Sequence, residues 1–129
     1  MKIRVKTEVR PTEDENKVKK ALLNIFVSEK VELIEEDGKR ILVSEEKNIE
    51  SLSKLREMLR KRRILSAAKA VLKRSITEDR MVFYLNKQAA YMGQISFCEK
   101  EGESPLGPIT VEIVCEKINE VIDWLTSEN

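Results

Sequence analysis

Histidine is absent from this chain. Its absence removes the commonest general base and every Ser-His-Asp or Cys-His arrangement. The two cysteines, Cys98 and Cys115, form no CxxC pair and cannot supply a structural zinc site. Each lies among apolar neighbours, so both are expected to be small buried residues rather than partners in a disulfide. With four glycines and three prolines there is no GxGxxG or GxxxxGK loop to cradle phosphates. No Asp-rich spacing marks a metal cage. Apolar runs stay well short of the roughly 18 residues that a membrane-spanning helix requires. Charges alternate through the opening Met1-Lys2-Ile3-Arg4-Val5, a pattern no secretory h-region tolerates, so a cytosolic location is expected. Together these absences lead to the expectation of a non-enzymatic protein without metal or cofactor.

What is present is charge. Of 129 residues, 41% are apolar and 36% charged, enough of the first to bury one core and enough of the second to clothe it. One domain spanning residues 1–129 is expected, since no repeat, linker or low-complexity tract divides the chain. Lys and Glu are plentiful while Gln occurs only at Gln88 and Gln94, a balance that matches the ion-pair-rich composition of hyperthermophile proteins.

Residues Lys2 to Val9 alternate, with Ile3, Val5 and Val9 on one face and Lys2, Arg4, Lys6 and Glu8 on the other, which predicts a strand with one wet face. Pro11 stops it, and Thr12-Glu13-Asp14-Glu15 reads as a capping box in which the Thr12 hydroxyl caps and Glu15 reaches back. Val18, Ala21, Leu22, Ile25 and Phe26 then recur at helical spacing. Val31 to Val43 reads as a hairpin turned by Asp37-Gly38 in a type I′ turn. Its register sets Glu36 opposite Lys39, Glu35 opposite Arg40, Ile34 opposite Ile41 and Leu33 opposite Leu42. The tip should project into water and the base should be buried on both faces.

Ile49 to about Ile76 is helical in pattern, yet its two stripes disagree in direction. Leu52, Leu55 and Leu59 define one; Ile64, Ala67, Ala68, Val71 and Leu72 define another on nearly the opposite side. One core cannot receive both, so two helices should meet near Arg60 to Arg63, although neither Gly nor Pro marks the joint. Met81 to Asn86 is β-prone, and Lys87 to Gly93 is a short helix or loop. Ile95 to Cys98 is short and extended, and Glu99 to Pro108 a loop in which Pro105 and Pro108 fix the backbone around Gly107. Ile109 to Cys115 alternates as a strand. A last helix turns Ile118, Val121, Ile122 and Leu125 inward, with Trp124 beside them. The resulting class is α+β: a single mainly antiparallel or mixed sheet with helices packed on one face.

The most uneven charge lies between Lys54 and Arg74, where Lys54, Arg56, Arg60, Lys61, Arg62, Arg63, Lys69, Lys73 and Arg74 face the single acid Glu57. Arg62, Ser66, Lys69 and Lys73 recur at helical spacing opposite the second apolar stripe, so they share an exposed face. Such a surface neutralises nucleic-acid phosphates by releasing counterions, and Arg adds bidentate contacts that Lys cannot make. The competing reading is a solvated face paired with acids from elsewhere, such as the hairpin. Lys2, Arg4 and Lys6 either widen the positive area or are neutralised by Glu112 on a neighbouring strand; both readings stand.

A second polar segment runs from Phe83 to Phe97 and holds Tyr84, Lys87, Gln88, Tyr91 and Gln94. Tyrosines beside a lysine suit the stacking of unpaired RNA bases; they equally suit the filling of a core. The candidate RNA contacts are therefore Arg60, Lys61, Arg62, Arg63, Lys69, Lys73 and Arg74 from the helices, with Lys87, Gln88 and Tyr91 from this segment. The alternative function is a protein-interaction or self-assembling module, a homodimer or a subunit of a larger complex, using the projecting hairpin or a free sheet edge.

Four segments in order carry a family resemblance: Thr7-Glu8-Val9-Arg10-Pro11-Thr12-Glu13-Asp14; Leu85-Asn86-Lys87-Gln88-Ala89-Ala90-Tyr91; Ser104-Pro105-Leu106-Gly107-Pro108-Ile109; and Val121-Ile122-Asp123-Trp124-Leu125. The chain resembles an archaeal family of short uncharacterised (UPF-type) proteins, grouped with predicted RNA-binding proteins and a predicted exosome subunit. The resemblance implies RNA binding. It also implies a fold similar to that of a large-subunit ribosomal protein that contacts the ribosome's small RNA. It implies no catalytic residue. The Lys87-Gln88 and Ser104 to Pro108 segments also admit a folding role, because a lysine among apolar strand ends can snorkel.

Overall fold

The computed structural model describes residues 1–100 and 106–128. Seven strands and five helices follow one another as β1 (Lys2–Val9), α1 (Glu15–Ile25), β2 (Glu32–Glu36), β3 (Lys39–Glu46), a 3-10 turn (Ile49–Leu52), α2 (Ser53–Lys61), α3 (Leu65–Arg74), β4 (Ile76–Thr77), β5 (Arg80–Asn86), α4 (Lys87–Tyr91), β6 (Phe97–Cys98), β7 (Pro108–Val114) and α5 (Ile118–Leu125), among the described residues. The strands form one sheet in the order β2-β3-β1-β7-β5-β4, with β6 also on β5, and every pairing is antiparallel. The chain is α+β, as its pattern requires.

Period-two alternation decides which face is covered. Ile3, Val5, Thr7 and Val9 of β1, Ile109, Val111 and Ile113 of β7, and Met81, Phe83 and Leu85 of β5 are all buried. They join the inward stripes of the helices in one core: Val18, Leu22 and Ile25 of α1, Leu55 and Leu59 of α2, Leu72 of α3, and Ile118, Ile122 and Leu125 of α5. The residues between them in β1, β5 and β7 are half-buried or exposed, so among the described residues the opposite face of the sheet carries no helical cover. At roughly 1.5–3 kcal/mol for each fully buried large apolar side chain, this inner layer supplies the main driving force for folding.

The hairpin β2–β3 has the expected register, Glu36 against Lys39 through Leu33 against Leu42. Asp37 and Gly38 have φ of 54° and 77°, both positive as a type I′ turn demands. Its base is not buried on both faces, however. Leu33 is 44% exposed because β2 is the sheet edge and no helix reaches it.

The capping box is also displaced. Asp14, not Thr12, is the N-cap of α1, its carboxylate accepting from the Asn16 amide at 2.8 Å. The residues before it close a turn instead, with the Glu13 N–H donating to the Arg10 carbonyl oxygen and the Arg10 N–H to the Glu13 carboxylate. Glu15 reaches across to Arg40 of β3 at 2.8 Å rather than back along its own helix. Cys98 and Cys115 are not joined in a disulfide and are half-buried rather than fully buried. Pro105 and Ser104 lie outside the described residues, and Gly107 adopts φ of 83°.

The helical stretch breaks where two discordant stripes require it. α2 ends at Lys61 and α3 starts at Leu65. Arg63 turns the chain with φ of 54°, a left-handed conformation that ordinarily falls to glycine. Leu52, Leu55 and Leu59 are buried from one side of the joint and Ala68 and Leu72 from the other; Ile64 and Val71 are only half-buried, and Ala67 is exposed.

Candidate nucleic-acid interface

The cations of α2 and α3 divide by what they touch. Lys54 donates from Nζ to the Leu23 carbonyl oxygen at 2.8 Å. Arg56 donates to the Trp124 carbonyl oxygen and the Ser127 hydroxyl and lies over the Trp124 ring, so it anchors α5 to α2. Arg60 is partly engaged, 3.7 Å from the Glu57 carboxylate and donating to the Glu128 carbonyl oxygen. Lys69 lies 3.4 Å from Asp123. Both pairs are largely solvated and worth little.

Lys61, Arg62, Arg63, Lys73 and Arg74 differ from these. All five are exposed, and among the described residues no ion pair engages them. The hairpin acids do not reach the helices; in the hairpin register Glu35 and Glu36 stand opposite Arg40 and Lys39 instead. The joint itself is concave. A cleft of about 790 Å³ opens there, lined by Arg60, Lys61 and Arg63, by Leu65, Ser66 and Ala67 of the first turn of α3, and by the acids Glu57 and Glu128. No side chain caps α3, so its first-turn amides lack the partner that a capping oxygen would give. Amides at a helix start and flanking guanidinium groups both favour an anion.

The second polar segment is not one surface. Lys87 is 3% exposed. Its ammonium donates to the Glu8 and Leu106 carbonyl oxygens at 2.7 Å each and to the Glu13 carboxylate at 3.0 Å. It ties the end of β1, the turn before α1 and the approach to β7 together, and it has no solvent-facing donor for a phosphate. Burial lowers its pKa below the ordinary lysine value, while the hydrogen bond and charge of Glu13 pull it back part of the way. Lys87 is thus a buried structural cation rather than the RNA contact that its sequence context suggests. Gln88 is exposed on α4. Tyr91 is half-buried against the core with Lys20 over its ring at 5.0 Å.

Of the aromatics, Phe83 fills the core and packs on Phe97 with ring centroids 5.9 Å apart, whereas Tyr84 lies on the uncovered face of the sheet. Arg4 and Lys6 share that face. Arg4 stands opposite Glu45 and Glu112 in the two flanking registers, but those acids pair with Lys2 at 3.3 Å and Arg80 at 3.5 Å. The sequence leaves this outcome open, because alternation shows only that these residues face outward and not which acid each one meets.

Among the described residues no helix is long and apolar enough to cross a membrane, and no cluster of His, Cys, Asp or Glu could hold a metal ion. Comparison with known proteins is consistent in direction. A family model described as RNA binding matches residues 2–115. A UPF0201 protein of Metallosphaera sedula is 48% identical over 124 residues, covering 96% of this chain and 86% of its own. Another from Methanopyrus kandleri is 47% identical, covering 95% of this chain and 82% of its own. The crystal structure of a UPF0201 protein from Methanococcus jannaschii superposes with a TM-score of 0.85 at 38% identity, covering 100% of this chain and 95% of that one.

Proposed function

Because this chain belongs to the RNA-binding family whose model spans residues 2–115, alongside the archaeal UPF0201 proteins, we propose that it binds RNA without catalysis through the joint between α2 and α3 and the last turn of α3. The observation that carries this reading is the set of five exposed cations, Lys61, Arg62, Arg63, Lys73 and Arg74, with no ion pair among the described residues. Arg60 and Lys69 sit beside them in weak solvated pairs that a phosphate can displace. A likeness to the ribosomal protein that contacts the ribosome's small RNA, and action in the cytosol, are part of the same proposal.

Five phosphate contacts would make affinity fall with salt with a log–log slope of roughly −3.5 to −4.5. A fluorescence titration of a structured RNA against this protein at several salt concentrations measures that slope. Affinity that is undetectable at low salt, or indifferent to salt, removes the proposal.

Arg63 supplies a further test. A non-glycine residue held at φ of 54° costs on the order of 1 kcal/mol, and such strain persists where a side chain has work to do. Arg63→Gly is expected to leave stability unchanged or raise it by up to about 1 kcal/mol in denaturant melts, while weakening RNA several-fold. A variant that binds RNA as well as the parent would remove Arg63 from the contact set.

The competing reading, a docking or self-assembling module, draws on the β2 edge, where Leu33 is 44% exposed. Sedimentation across a concentration range tests it; a monomer throughout counts against self-association.

A further inference from the structure

The uncovered face of the sheet has no part in the reading above, and its side chains are arranged in rows. Following the registers across the strands, one row runs Val43, Lys6, Thr110, Tyr84, Cys98; the next runs Glu45, Arg4, Glu112, Val82. Tyr84 is half-buried and borders a cleft on each of two sides. Toward β1 it lines a cleft of about 180 Å³ with Arg4, Lys6, Val82 and Thr110, and toward α3 it lines one of about 280 Å³ with Val71, Arg74 and Cys98. Lys100 and the acid Glu112 also line the first, and the acid Glu99 the second.

Charge on this face is lopsided. The nearest acids of the rows, Glu45 and Glu112, pair with Lys2 and Arg80, so Arg4 and Lys6 keep their charge without a partner among the described residues. Arg74 ends α3 and reaches the same edge, so it belongs both to the helical cation set and to the cleft beside Tyr84. The helical surface and the sheet face therefore meet at Arg74.

We propose that Tyr84 is a stacking platform for an unpaired RNA base, with Arg74 on one side and Arg4 and Lys6 on the other holding the flanking phosphates. This rests on the RNA-binding reading and adds to it the class of RNA: a single strand, or a loop whose bases are splayed from a helix. A tyrosine ring on an open sheet face offers a π surface to any base, and flanking cations track the backbone on either side. A duplex keeps its bases stacked on one another and has none to give the ring. No hydrogen bond holds the Tyr84 hydroxyl among the described residues, so the ring rather than the hydroxyl is the working part.

The test uses the whole protein with a short single-stranded RNA carrying a fluorescent purine analogue, and the same strand annealed to its complement. With the parent protein, the single strand should show quenching of the analogue and the duplex none. Tyr84→Leu should weaken single-strand binding about tenfold and abolish the quenching, leave duplex affinity unchanged, and Tyr84→Phe should restore both. Parent protein that binds the single strand without quenching, or Tyr84→Leu that binds and quenches like the parent, overturns the platform and leaves the helical surface standing. Parent protein that binds neither RNA overturns both readings. Should Tyr84→Leu fail to fold, a parent that does not quench still overturns the platform, and loss of the parent's quenching in Tyr91→Leu would overturn it by moving the stack to Tyr91.

Discussion

Replacing Lys61, Arg62 and Lys73 together with glutamate is expected to cut affinity for structured RNA on the order of a hundredfold at low salt, and to flatten the salt dependence by roughly 2 to 3 log units per log unit. Each of the three is exposed, and none is in an ion pair among the described residues, so no ion pair of the fold is lost. The substitutions move the formal net charge from +1 to −5, since three reversals change it by −6. A drop that large repels any polyanion, so a second triple variant is the necessary control. Lys17 and Lys19 are exposed on α1 and Lys47 in the connection after β3, and reversing them changes net charge by the same amount. If the joint binds RNA, the helical triple loses far more affinity than the control, by gel shift or fluorescence titration. Equal losses would mean that bulk charge governs binding and that the joint has no special part.

Lys87→Met is expected to destabilise the protein by about 3–5 kcal/mol, the range for removing one partner of a buried pair. The Glu13 carboxylate, near the ammonium at 3.0 and 3.3 Å, would be left with its charge uncompensated. The Glu8 and Leu106 carbonyl oxygens would each lose a donor at 2.7 Å. Thermal melting should show a fall in Tm of more than about 10 °C. Changing Glu13 to Gln in the same chain should recover part of the loss, because the orphaned charge is gone while the carbonyls stay unpaired. RNA affinity of the folded variant should equal the parent's, since Lys87 has no exposed donor to give a phosphate. A stable Lys87→Met protein that had lost RNA binding would reverse the correction and return Lys87 to the interface.

The elements legible in the chain share one property: the information that specifies them lies within a few residues. The Asp37-Gly38 turn sets the hairpin register because type I′ geometry needs positive φ at two adjacent positions. Alternation along β1, β5 and β7 sets which side chains turn inward, since successive residues point to opposite faces. The joint after Lys61 is readable because two apolar stripes on one rod cannot both meet one core. The misread cap is instructive for the same reason: Thr12 and Asp14 are both good N-caps by type. The choice fell to Asp14 because Glu13 was engaged by the Arg10 amide and by Lys87, a residue far along the chain.

Charge behaves differently. Seventy-four positions separate Lys87 from Glu13, and nothing near Lys87 distinguishes a buried lysine from a free one. Likewise Arg4 and Glu112 face each other in the register, yet Glu112 is held by Arg80. Periodicity and turn chemistry thus settled the longer strands and helices, most of their inward faces and the existence of a cation-rich stretch, though not the short β4, because those are properties of neighbouring dihedrals and of side-chain direction. Which cations stay in water, which one is interred, and that Arg74 brings the helical charges to the bare face beside Tyr84 were decided by packing. A charge takes its partner from whatever the fold carries within a few ångströms, and distance along the chain does not predict that.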